Sequence, residues 1–247
     1  MSNHQTICLF LNSQTANSYV NEYTSECMFI LPSLVIPKKS KISVSVQTAS
    51  IPFSFFNCDD FNFTLKYIEN SITYTKIIPQ GNYNVLTLAA ALRTLMGVNF
   101  TITYNNLDNT YTFTNSLYDF SLLSTSTCFE ILGFKDNITY TSVSRTLKSV
   151  ISINLFTIRN IYISSNNFIL NNVNSSTPNN SSILCSIPIQ SSSGSIISYS
   201  NIYNVYNEVY NTHNLTLLHI KLTDQDGDIL DLNGCHFSLT IQLDIYK

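Results

Sequence analysis

The sequence predicts an all-β protein, a single jelly-roll β-sandwich with a small α+β insertion. Three observations carry that expectation. Short runs of β-branched and aromatic residues alternate with polar ones along most of the chain. Asn, Ser, Gly and Pro punctuate those runs, as they do in sandwiches and barrels. One internal stretch abandons period two for helical spacing and then returns to it.

Taken in order, Thr6 to Leu11 and Cys27 to Leu31 read as the first strands. Ser40 to Ser50 alternates clearly, with Ile42, Val44 and Val46 set against Lys41, Ser43 and Ser45, so that one face is expected in the core and the other in water. Phe61 to Tyr67 is a further strand. Val85, Leu88, Ala89, Leu92, Leu95 and Met96 then recur at the spacing of one helical face. Asn84 stands in the N-cap position and Gly97 just past the end. Tyr83 and Leu88 have the spacing of a hydrophobic staple around that cap.

Phe100 to Tyr104 and Tyr111 to Thr114 follow as short strands, and Cys128 to Leu132 as a helical turn ended by Gly133. Together these make a β-α-β-β-α unit over residues 71–140, inserted in a jelly roll built from residues 1–70 and 141–247. Strands are expected again at Val150 to Phe156, Ile161 to Ser164 and Ile183 to Ile189, with Asn171 to Ser182 as a polar loop. Leu218, Ile220 and Leu222 alternate with His219 and Lys221. Finally Phe237, Leu239, Ile241, Leu243 and Ile245 alternate with Ser238, Thr240, Gln242 and Asp244.

A chain of 247 residues buries roughly 70–75% of its unfolded surface, so it needs no disulfide framework. Charged residues make up 11%, against about 25% in ordinary soluble domains. AT-rich coding would raise Lys along with Asn, yet there are 30 Asn and 9 Lys. Charge is selectively scarce while aromatics reach 12%, which suits extensive burial between subunits. The net charge is −3, and the basic residues cluster only at Lys38, Lys39 and Lys41, so no footprint for a phosphate backbone exists. No run of apolar residues is long enough to span a membrane, and Met1 to Gln14 lacks the basic leader and apolar core of a signal peptide. Synthesis and folding in a reducing compartment are therefore expected.

Catalytic constellations are missing from the sequence. Cys8, Cys27, Cys58, Cys128, Cys185 and Cys235 show no CxxC or Cys/His spacing, which points to buried free thiols rather than zinc. His4, His213, His219 and His236 fall in no HxH or HExxH pattern, and no GxSxG, GxGxxG or P-loop occurs. Neither enzyme activity nor a cofactor is expected. Asp224, Asp226 and Asp228 alternate like the start of a calcium loop. The closing Glu is absent, since Cys235 occupies the twelfth position, so they are weak calcium candidates, and a tight Asp-Gly turn is the preferred reading.

Three segments carry a resemblance. Leu222-Thr-Asp-Gln-Asp-Gly-Asp-Ile-Leu-Asp-Leu-Asn-Gly234 followed by Phe237-Ser-Leu-Thr-Ile-Gln-Leu243 resembles the end of the penton, or minor capsid, proteins of virophages and of Polinton-like and adinto-like viruses. Ile51-Pro-Phe-Ser-Phe-Phe-Asn57 and Ile78-Pro-Gln-Gly-Asn-Tyr-Asn84 are similar to that family's early loop and its turn into the first helix. The resemblance implies a structural subunit of the virion. Five copies would form a homopentamer at a five-fold vertex and contact trimers of a double jelly-roll major capsid protein. The competing expectation is a jelly-roll lectin or host-attachment module; a cupin would need clustered metal ligands that are missing.

Overall fold

Where apolar and polar residues alternate, the chain extends, and where Asn, Pro and Gly gather it turns. The computed structural model describes residues 4–34, 36–37, 40–170, 172–174, 177–209 and 215–246, so Lys38, Lys39 and His213 lie outside the described residues. The chain begins with β1 (His4–Asn12), β2 (Ser18–Tyr19), β3 (Glu26–Leu34) and β4 (Lys41–Pro52). Next come β5 (Thr64–Glu69), β6 (Ile72–Ile77), α1 (Val85–Met96), β7 (Phe100–Asn105), β8 (Thr110–Asn115) and β9 (Phe120–Leu122). They are followed by α2 (Phe129–Leu132), β10 (Tyr140–Thr141) and β11 (Thr146–Lys148). The last part holds β12 (Asn160–Ser164), β13 (Asn172–Asn174), β14 (Thr177–Ser181) and β15 (Ile183–Pro188). It ends with β16 (Ile196–Ser200), β17 (Asn207–Val209), β18 (Leu215–Thr223) and β19 (Ser238–Tyr246).

These elements divide into two units, one of residues 1–55 with 158–247 and one of residues 56–157. The second unit is wider than the 71–140 expected. On one side β5 pairs with β6 and β9. On the other, β11 pairs with β8, and Ile153 N–H donates to Asn109 O at 2.8 Å.

In the first unit the pairings nest. β1 pairs with β19, β3 with β18, β4 with β16 and β17, and β12 with β15, all antiparallel. Two further pairings, β19 with β4 and β18 with β12, join these ribbons into two sheets. One sheet runs β1-β19-β4-β16 and the other β15-β12-β18-β3-β2. A long hairpin folded across its middle gives this order, which is the jelly roll. Inward residues of both sheets share one core, including Val44, Ile51 and Ile241 from the first and Ile161, Leu218 and Ile220 from the second.

Two expectations about wet faces are corrected here. Ser43 and Ser45 of β4 are buried, so the outer face of this interior strand is not open to water at those positions. Asp244 of β19 is buried as well, at 2% exposure. It persists there because Thr6 Oγ1 at 2.6 Å, Gln242 Nε2 at 2.9 Å and His4 Nε2 at 3.1 Å all bond its carboxylate.

The second unit has two small sheets, β10-β9-β5-β6 and β11-β8-β7. Helix α1 begins where Asn84 Oδ1 accepts the N–H groups of Leu86 and Thr87, while Thr87 Oγ1 accepts that of Asn84. It ends at Gly97, whose φ of 98° favours glycine. Its buried side chains Leu88, Ala89, Leu92 and Met96 join this unit's own core, apart from that of the sandwich.

Val150 to Phe156 forms no strand. Val150 and Ile151 N–H both donate to Gly133 O, while Ile153 donates to Asn109 O and Asn154 to Glu130 O, so the bonds scatter over three carbonyls instead of running along one strand. The stretch expected as a polar loop at Asn171 to Ser182 instead contains the β13–β14 pair.

Candidate assembly surface

The Asp224 cluster follows β18. Asp224 Oδ1 accepts the backbone N–H groups of Asp226 at 2.9 Å, Gly227 at 2.9 Å and Asp228 at 3.0 Å. Its own N–H donates to Asp228 O at 2.9 Å, and Gly227 supplies the left-handed residue at φ 97°. Burial of the Asp224 carboxyl raises its pKa, helped by the Asp228 charge and opposed by the three N–H donors. Asp226 and Asp228 are exposed, and Asp231 caps a different turn by accepting Asn233 N–H at 2.7 Å. The cluster is thus spread over two turns, with the Asp224 and Asp231 carboxylates both spent on backbone N–H groups. Among the described residues, no three His, Cys, Asp or Glu side chains come together as a metal site.

The other titratable residues are engaged separately. His219 is buried with Nε2 2.9 Å from Glu26 Oε1, and Glu26 also accepts from Asn21 Nδ2 at 3.0 Å. His4 stacks on Tyr246 with ring centres 4.7 Å apart, and His236 meets Ser13 Oγ at 3.2 Å. Burial pushes the thiols of Cys27, Cys58 and Cys185 up to about 12, and raises that of Cys128 as well. Cys8 and Cys235, expected to be buried like the rest, are exposed: Cys8 lies on the outer side of β1 and Cys235 in the turn before β19.

What the sandwich does present is apolar surface. The connection from β16 to β17 displays Ile202, Tyr203, Val205 and Tyr206, with Tyr203 84% exposed. Hydrogen bonds close this loop. Buried Asn201 donates through Nδ2 to Val205 O at 3.0 Å and accepts Val205 N–H at 2.9 Å, and Asn204 takes φ 51°. Phe10, 82% exposed, stands on the outer side of β1, whose only partner among the described residues is β19. Ile30 and Leu217, register partners on the other sheet, are exposed together. Sequence reasoning missed the loop, because Asn-Ile-Tyr-Asn-Val-Tyr at residues 201–206 fits neither period. Its signal is a cluster of large apolar residues between two Asn residues with no core position to fill.

No protein-family profile and no curated protein matches the sequence. The backbone does find matches among solved structures. The mavirus penton protein aligns over 98% of this chain and 99% of its own, with a TM-score of 0.52 and 13% identity. The fold is shared with the mavirus penton protein. A chain of the cryo-EM structure of the Sputnik virophage aligns over 98% of both chains at 12% identity, with a TM-score of 0.49. The penton likeness lies in the path of the backbone, and it takes in the inserted unit as well as the sandwich.

Proposed function

We propose that this chain is a structural capsid protein, the penton subunit that forms the five-fold vertices of a small icosahedral double-stranded DNA virus. The observation that carries the reading is the end-to-end correspondence with the mavirus penton, insertion included. A shared sandwich alone would fit lectins equally well. Support comes from the scarcity of charge and from the exposed apolar residues at the 201–206 loop and on β1, which suit burial between neighbours. In this reading the subunit assembles as a homopentamer through heterologous, ring-closing contacts and meets the double jelly-roll major capsid protein around it. It needs no catalytic residue and no cofactor. The Asp224 turn serves as a structural corner that holds without metal.

The test is made in particles. Local reconstruction of the vertices should find five copies of this chain, each burying on the order of 1,000 Å² or more with a neighbour. Finding the chain at trimeric positions, or as a detachable surface protein that binds glycans, overturns the reading, and the latter outcome favours the lectin alternative.

A further inference from the structure

The sandwich contains a cavity that the capsid reading does not use. Its origin is legible in β3, which carries Pro32. Proline has no N–H to give the ladder. Here the register between β3 and β18 breaks: Ile30 faces Leu217 but Leu34 faces Leu215, so a step of four residues on one strand matches two on the other. The surplus bows the strand, and this end of the sandwich opens into a cavity of about 310 Å³ between the sheets. Ile42, Leu243 and Ile245 wall it on one side and Leu34, Phe168 and Leu215 on the other.

The lining decides what fits. None of the described lining residues is charged. Asn167 is already committed, donating to Leu217 O at 2.9 Å and accepting His219 N–H at 2.7 Å. Asn166 and Thr216 are the exposed polar members of the lining. Water gains little against aliphatic walls, since it needs two to four polar partners. A hydrocarbon recovers the dispersion contacts that the walls lack. The space is about twice the roughly 150 Å³ hole that accepts one benzene, which corresponds to an unbranched chain of around ten carbons.

We propose that this cavity binds a single-chain amphiphile, with its aliphatic tail between the two sheets and a neutral hydrogen-bonding head at Asn166 and Thr216. The head is neutral because, among the described residues, no cation lines the site to pair with a carboxylate or phosphate. This proposal is independent of the capsid reading.

The test uses the full chain purified without detergent, titrated calorimetrically with n-alcohols of six to twelve carbons. Saturable one-to-one binding is expected, tightening about fourfold per methylene and levelling off near ten carbons. Decanoate should bind more weakly than decanol. Ile7, partly buried on β1, lines the cavity, so Ile7→Trp should fill it and weaken decanol binding at least tenfold. Should that variant not fold, Leu217→Trp on the more exposed wall takes its place. Absence of saturation, affinity that climbs with length without levelling, or unchanged binding in a folded filled variant overturns the proposal. The chain-length series on the unaltered protein decides the matter by itself if neither variant folds.

Discussion

The two units solve the same packing problem with different side chains and at different range along the chain. The jelly roll fills the space between its sheets mainly with Leu, Ile and Val, contributed alternately by long strands. The inserted unit, with short strands and two helices, fills its centre with Tyr67, Phe100, Tyr111, Phe113, Phe120, Phe129 and Phe134. Several of these rings meet edge to face, as Tyr67 does Phe100 at 5.5 Å and Phe100 does Phe120 at 5.0 Å. Few residues must supply much volume, so each is large. The range differs just as much. β5 with β6 and β7 with β8 are hairpins closed locally, whereas β1 with β19 sets His4 opposite Tyr246. One unit can form from what lies near it in sequence; the other must wait for both ends of the chain.

The largest break in that comparison comes from deleting residues 236–247. This removes β19, the neighbour of both β1 and β4. Hydrogen exchange followed by mass spectrometry should show protection lost throughout the roll, while α1, β7 and β8 stay protected. Loss in both units would mean that the insertion depends on the sandwich.

Next in size are single core truncations. Phe113→Ala should destabilise the inserted unit by about 3–5 kcal/mol and Ile241→Ala the roll by about 2–5 kcal/mol. Each effect should be confined to its own set of amides. A smaller effect separates the units by pH. Burial acts to raise the pKa of Asp244, but hydrogen bonds from Thr6, Gln242 and His4 outweigh it and hold the carboxyl below its ordinary value. A depressed carboxylate contributes stability above its unfolded pKa of about 3.9 and loses it as pH falls through the folded value. The roll should therefore weaken below about pH 4, and Asp244→Asn should flatten that acid limb in a urea titration. The smallest expected effect is none: EDTA should leave the melting temperature unchanged if the Asp224 turn is complete in itself. A fall of several degrees that calcium alone restores would instead make the turn a metal site.

Much of the roll was legible because period two survives wherever one face is dry. β1, β3, β4, β12, β15, β18 and β19 all lie on stretches whose alternation or β-branched content marks them. The helix was legible down to its caps, since Asn84 and Gly97 act locally, whereas the reciprocal bond from Thr87 was not read. What the sequence hid depends on distant partners. Val150 to Phe156 is β-prone, but its N–H groups find scattered carbonyls instead of a strand. Ser43 and Asp244 look like solvent positions and are covered by neighbours that pattern reading cannot see. At the candidate surface, the exposed loop at residues 201–206 was invisible for the opposite reason: its apolar residues follow no period because they face no core.

The pairing of His4 with Tyr246 sets the first and last described strands of the jelly roll side by side. Partners facing across an antiparallel ladder have Cβ atoms only about 5 Å apart. A linker of a few residues between His4 and Tyr246 would therefore join residues 4–246 into a circular backbone without disturbing either sheet. The native contacts would be unchanged, yet the unfolded chain would lose the freedom of its ends. In the chain-entropy picture, closing a loop of this length contributes on the order of 5 kcal/mol. The same closure allows the chain to be opened elsewhere, so a circularly permuted protein that starts at the surface turn after β18 should fold to the same roll.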